Sequence, residues 1–318
     1  MGALQGSSFG ALATGVLVAC QCVVPSTGGA IGVPSYLPPD GRPWKLFEPW
    51  SDEFSGTVLN TTKWWPTMDD GFAGSAPGLN VPQNAVVSGG QLHLFAREIS
   101  GHLPDSPPGY ANVTTAAVGT HAMRRFGYFE IRARLMNSSA IKSAFWFNQG
   151  RGQVQRTATE RQWHNEIDVF EMVAGSTRCG AVACDREVLM NLHHFNKNRT
   201  INRTSCPVDG DPGADPNRWR GKWVAPTGLM GHFHRFGLLW RPGVVQWWLD
   251  GQVIRTVNTS CFDIEPLNLV LDVEADGFVW GSQTAALQQL PRSFDIDYVR
   301  SWTQHSVRAP DAETPLTM

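Results

Sequence analysis

The sequence predicts an all-β protein, an antiparallel sandwich or barrel, on three observations. Short segments with period-two apolar alternation recur from about residue 44 to 303. Turn signals rich in Gly, Asp and Pro separate them. No stretch sustains a 3.6-residue apolar period with helix caps, and many short strands without helices build sandwiches or barrels.

The elements follow in order. Gln91-Leu-His-Leu94-Phe-Ala-Arg97 alternates after the Gly89-Gly90 turn. Phe129, Ile131, Ala133 and Leu135 alternate with Glu130, Arg132 and Arg134, so one face reads as buried and one as wet. Val244 to Leu249 is a strand, Asp250-Gly251 a hairpin turn, and Val253-Ile254 begins the return. Asn268 to Val273 and Phe294 to Trp302 complete the set. The 318 residues, 42% apolar, fit one large all-β domain over 44–303. Residues 25–43, rich in Pro, Gly and Ser, read as a linker or N-terminal arm, and 304–318 as a disordered tail.

The formal net charge of -2 gives no electrostatic case for nucleic acid or an anionic membrane. The apolar run Leu12 to Cys20 is too short to span a bilayer and reads as the centre of a signal peptide over 1–24, although no basic residue precedes Arg42. Leu17-Val-Ala-Cys20 admits a second reading, a lipoprotein processing box with anchoring at Cys20. Sequons at Asn60, Asn112, Asn137, Asn198, Asn202 and Asn258 agree with secretion. Beyond Cys22 the chain keeps Cys179, Cys184, Cys206 and Cys261, compatible with two disulfides. Of three pairings, Cys179–Cys184 with Cys206–Cys261 is preferred; zinc is disfavoured because Cys179 and Cys184 have no second close pair. The 13 tryptophans against 4 tyrosines suit stacking on sugar faces as well as a core.

The informative segment is Trp163-His-Asn-Glu166-Ile-Asp168-Val-Phe-Glu171-Met-Val173. Its apolar residues specify a strand, and three acids inside a strand are costly unless they face water or one another. Strict alternation puts Glu166 and Asp168 on one face and Glu171 on the other. A β-bulge at Val169-Phe170 would return Glu171 to their side. At a rise of roughly 3.3 Å per residue the outer Cα atoms lie ~13 Å apart, and two inward-leaning glutamates close most of the gap to the about 5–5.5 Å of a retaining glycosidase. A calcium site and a solvated strand face are the competing readings of the same acids.

Glu166-Ile-Asp168-Val-Phe-Glu171 resembles the active-site signature of glycoside hydrolase family 16 in its bulged form. The flanks agree: Arg125 to Arg134 and Phe145-Trp-Phe147 resemble strands before the site, His232 to Gly251 the hairpin after it, and Phe294 to Trp302 the closing strand. The resemblance implies a β-jelly-roll sandwich of two antiparallel sheets with a concave substrate cleft. It implies Glu166 as nucleophile, Glu171 as general acid/base and Asp168 as assisting residue. Val270-Leu-Asp272-Val-Glu274 and Phe72-Ala-Gly-Ser75-Ala-Pro77-Gly78 look like agarases and porphyranases. Phe72 stands where a tryptophan is usual, and the basic residue common at Ser75 is absent.

Candidate substrate-binding residues are Trp146, His194, Glu274, Trp163 and Phe72. Trp146 alternates with Phe145 and Phe147, so it faces the cleft if they are core. Asn191-Leu-His193-His194-Phe195 resembles the strand that offers a histidine beside the cleavage point, and His194 is preferred. Trp247-Trp248 is read as one core and one surface residue. Arg124-Arg125 and Lys222 read as solvated charges or sulfate contacts. The expected activity is secreted, retaining, endo-acting hydrolysis of an agar- or porphyran-type galactan. β-1,3-Glucan hydrolysis, transglycosylation and a non-catalytic carbohydrate-binding protein are the alternatives. No organic cofactor is required; a structural calcium is compatible with Asp297. The expected partner is polysaccharide, with no nucleic acid, no membrane after signal removal, and a monomeric state.

Overall fold

The computed structural model describes residues 31–38, 42–67, 72–101, 103–104, 106–148, 163–174, 184–196, 218–260, 266–275 and 290–304. Sixteen strands account for most of them. They are β1 Trp44–Leu46, β2 Trp64–Trp65, β3 Gly78–Asn80, β4 Ala85–Ser88, β5 Gln91–Glu98, β6 Val113–Thr120, β7 Gly127–Arg134 and β8 Ile141–Asn148. Then follow β9 Trp163–Met172, β10 Glu187–Asn196, β11 Arg218–Val224, β12 Phe233–Arg241, β13 Val244–Leu249, β14 Gln252–Asn258, β15 Asn268–Ala275 and β16 Arg292–Gln304.

These strands make a β-jelly-roll sandwich. One sheet runs β11-β10-β9-β8-β15-β6 and the other β5-β16-β7-β12-β13-β14. They join where Arg97 and Glu98 of β5 pair with Thr114 and Val113 of β6. Aromatic side chains from both sheets meet between them. Phe170 of β9 packs on Phe236 of β12 with ring centroids 4.4 Å apart, and Phe147 of β8 on Phe129 of β7 at 5.1 Å. Alternation therefore turns one parity of each strand into this core and leaves the other, free parity on the outer face, although in β6 and β15 that face is covered too. The free parity of the β9 sheet is the face on which the acids lie.

The opposite outer face departs from the expected wet surface. Glu130 is buried, not solvated. It accepts hydrogen bonds from Tyr128 at 2.9 Å, from Tyr298 at 2.8 Å, and from Tyr36. Tyr36 comes from residues 33–38, within the segment read as linker or arm, and also lies against Trp248. That contact corrects a second expectation, since Trp248 is buried along with Trp247. Strand periodicity alone cannot announce a cover supplied by a distant segment. The Asp250-Gly251 turn is as expected, with φ of 48° and 83°. Cys184 is disulfide-bonded, while Cys179, Cys206 and Cys261 lie outside the described residues, as do the signal and tail segments.

Candidate active site

The register of β9 contains the bulge that the sequence required. Against β8, Trp146 pairs with Asp168 and Phe145 with Phe170, leaving Val169 without a partner. Against β10, Asn191 pairs with Asp168 and Leu189 with Glu171, so three steps on β9 match two on β10. One extra residue restores Glu171 to the side of Glu166 and Asp168. Ile167 and Phe170 are wholly buried in the core, as that arrangement demands.

Rows across the sheet define the cleft floor. The first contains Asn148, Glu166 and His193. The second contains Val270, Trp146, Asp168 and Asn191, and continues to Arg220 of β11. The third contains Asp272, Ala144, Glu171 and Leu189, and continues to Lys222. Glu274 and Lys142 form a fourth.

The acids are bound into a hydrogen-bonded set. His193 Nε2 lies 3.1 Å from Asp168 Oδ2 and 3.5 Å from Glu166 Oε1. Asn191 Nδ2 donates to Glu171 Oε2 at 3.0 Å. Lys142 Nζ donates to Glu171 Oε1 at 2.5 Å and lies 3.6 Å from Glu274 Oε2. Ser75 Oγ donates to Glu274 Oε2 at 2.5 Å, which ties the 72–80 segment to the cleft floor.

Burial, then the charge of Asp168, pushes Glu166 well above the usual carboxylate range, and His193 opposes the rise. Asp168 is raised by burial and by Glu171, again opposed by His193. Asp272 is raised well above its ordinary value by burial and by Glu274. Burial pushes Glu274 upward too, but Lys142, Asp272 and Ser75 outweigh it and leave it lowered.

The bulge is braced from the other sheet. Trp247 Nε1 of β13 donates to the Asp168 carbonyl at 2.7 Å. Arg255 of β14 donates to the carbonyl of Met190, the β10 residue opposite the bulge, at 2.5 Å, and its guanidinium lies 4.8 Å from the Trp247 ring centroid. Gly221 of β11 leaves the space for that guanidinium, because a Cβ there would overlap it.

Of the predicted site residues, Glu166, Asp168, Glu171 and Glu274 are brought together. Trp146 joins them on the cleft face, packed on Ala117 and Val270, while Phe145 and Phe147 are core. Phe72 is 37% exposed at the head of the segment that carries Ser75. The histidine that meets the acids is His193; the side chains of His194 and Trp163 lie outside the described residues. Register explains the choice, since His193 pairs with Glu166 across the bulged β9. Lys142 and Asn191 were missed. Lys142 carried a signal, being a lysine two residues from Ala144 and four from Trp146 in an apolar strand. Trp247 and Arg255 carried none that a local reading could use.

Carboxylate oxygens of Glu166 and Asp168 and a ring nitrogen of His193 lie within 4.8 Å of one another. The histidine hydrogen bond accounts for that closeness. Asp297 accepts from Arg132 at 2.7 Å in a half-exposed ion pair.

A jelly-roll sandwich with clustered acids on a bulged strand defines a glycoside hydrolase architecture. Residues 44–304 match the family model described as beta-porphyranase A-D, GH16 domain. The chain belongs to glycoside hydrolase family 16. It is 26% identical over 274 residues to beta-porphyranase B of Zobellia galactanivorans, covering 81% of this chain and 84% of that one. It is 24% identical over 283 residues to glucan endo-1,3-beta-glucosidase A1 of Niallia circulans, covering 80% of this chain but only 37% of that longer protein. The crystal structure of porphyranase B from Zobellia galactanivorans superposes with a TM-score of 0.66 at 21% identity, covering 82% of this chain and 92% of that one. At that identity the superposition establishes the fold.

Proposed function

We propose that the protein is a secreted, retaining endo-glycosidase that cleaves β-linked galactan of the agar or porphyran type. The carrying observation is the bulge at Val169, which sets Glu166, Asp168 and Glu171 on one cleft face beside His193. Glu166 attacks the anomeric carbon while Glu171 protonates the departing oxygen. Glu171 then takes a proton from the water that releases the glycosyl-enzyme. Burial raises the proton affinity of both Glu166 and Asp168, and His193 opposes the rise at each. Glu166 needs its charge for the attack. His193 stabilises that charge.

The galactan assignment draws support from the family model, from Glu274 and Ser75 beside the acid pair, and from Trp146 as a sugar platform. Secretion draws support from the apolar Leu12 to Cys20 run and the six sequons. The chemistry requires no organic cofactor. A β-1,3-glucan substrate is the second reading, favoured by the Niallia circulans relative.

Incubation with porphyran, agarose and laminarin, with reducing ends measured, tests the substrate. Release from laminarin alone overturns the galactan assignment. Proton NMR of the first product tests retention, and an inverted anomer overturns it. Glu166→Gln is expected to abolish turnover while polysaccharide binding persists.

A further inference from the structure

Lys142 has no part in the reaction as described. It stands in β8 on the cleft parity, 18% exposed in its side chain. A cation so placed persists only where partners compensate for lost hydration. Its ammonium lies 2.5 Å from Glu171 Oε1 and 3.6 Å from Glu274 Oε2. Asp272, wholly buried, stands on the neighbouring row of β15. Asn191 faces Glu171 from β10, and Asp168 and Glu166 face it along β9.

We propose that Lys142 is a positioning residue that fixes Glu171 in the free enzyme and, by favouring its charged form, sets the pH above which the general acid is lost. The proposal rests on the reading of Glu171 as acid/base. An ammonium in contact with a carboxylate favours the ionised form. Burial works against the charge on Lys142, but Glu274, Glu171 and Asp272 outweigh it, and the lysine stays protonated. Glu274 competes for the same ammonium from the far side. Lys142 and Glu274 therefore act on the acid in opposite senses: Lys142 favours loss of its proton, and Glu274 moderates Lys142. A lysine from β8 thus links the residue that donates the proton to the 72–80 segment through Glu274 and Ser75.

The basic limb of the pH profile of kcat/KM reports deprotonation of the general acid in the free enzyme. With porphyran as substrate, Lys142→Met is expected to move that limb to higher pH by about 1–3 units. Lys142→Arg should leave it in place. Glu274→Gln should move it to lower pH, because the competing charge is gone. Lys142→Met/Glu274→Gln compared with Glu274→Gln should again move it upward, and this comparison serves if Lys142→Met alone does not fold. A lysine needed only for folding would lower thermal stability and leave the limb where it is. A limb unmoved in both comparisons overturns the proposal. Glu171→Gln separates the two levels. If that variant keeps full turnover of porphyran, the assignment of Glu171 itself fails. If it loses turnover while the Lys142→Met limb stays put, only the role of Lys142 fails.

Discussion

Trp247→Phe tests whether the catalytic strand is held in shape from across the sandwich. Trp247 is wholly buried, and its indole N–H is bonded to the Asp168 carbonyl at 2.7 Å. Phenylalanine keeps most of the ring and removes the donor. A buried carbonyl that loses its partner costs about 1–3 kcal/mol, and the smaller ring leaves a void worth roughly 1–2 kcal/mol more. The sum, about 2–5 kcal/mol, corresponds to a melting temperature lower by roughly 4–10 °C in a domain of this size. The kinetic consequence is larger in proportion. Asp168 begins the bulge, and a displacement on the order of 1 Å in a catalytic array costs ~100-fold in rate. Trp64→Phe is the matched control. Trp64 is equally buried and donates one hydrogen bond, to Asp52 at 2.9 Å, on the edge strand β2. Thermal melts and kcat measured at 25 °C are the assays. Both variants are expected to lose stability, and only Trp247→Phe to lose kcat. Equal stability losses with kcat intact in both would refute the bracing argument.

Three further outcomes follow from the same geometry. His193→Asn removes a group that lowers both Glu166 and Asp168. The nucleophile then stays protonated to higher pH, so the acid limb of kcat/KM should move upward, with kcat lower by about 10- to 100-fold. Arg220→Ala/Lys222→Ala removes two cations that the β10–β11 register places on the cleft face. KM should rise for porphyran, which carries sulfate esters, more than for agarose, and the difference should shrink as salt is raised. Asp295 is pushed upward by burial but held below its ordinary value by Ser293, His93 and Arg134. Its stabilisation is therefore present above the unfolded carboxylate range and lost as pH falls through the folded value. Asp295→Asn should cost about 1–2 kcal/mol at pH 7, after discounting for the exposed Arg134 side chain, and almost nothing near pH 2 in urea melts.

What the sequence could show divides along the reach of each interaction. Strand positions were legible because period two is written in adjacent residues: Val244 to Leu249 and the Asp250-Gly251 turn are observed as expected. The bulge was legible too, for a different reason. An acid on the wrong parity of a buried strand is a contradiction that only an inserted residue resolves, and the register contains it at Val169. Glu130 shows where the logic stops. Its parity was read correctly, but the conclusion that this parity meets water was not. Tyr36, 94 residues upstream, covers it. The histidine choice meets the same boundary: His193 is the one seen against the acids, and the side chain of His194 lies outside the described residues. His193 and His194 are neighbours in sequence, and only the pairing of β10 with the bulged β9 selects between them.

The same boundary bears on how the site is built. The three acids come from six residues of one strand, yet the groups that govern them come from four others: Lys142 from β8, Asn191 and His193 from β10, Trp247 from β13 and Glu274 from β15. A bulged strand with three acids would be unstable alone, because its freed carbonyls and like charges all need partners. The sandwich supplies them from both sides. The core side satisfies the backbone at Asp168 and Met190, and the cleft side neutralises the carboxylates. The strand motif defines which chemistry is available, and these distant partners define the proton inventory with which it runs. Relatives that keep the acids but exchange Lys142 should therefore differ first in pH range.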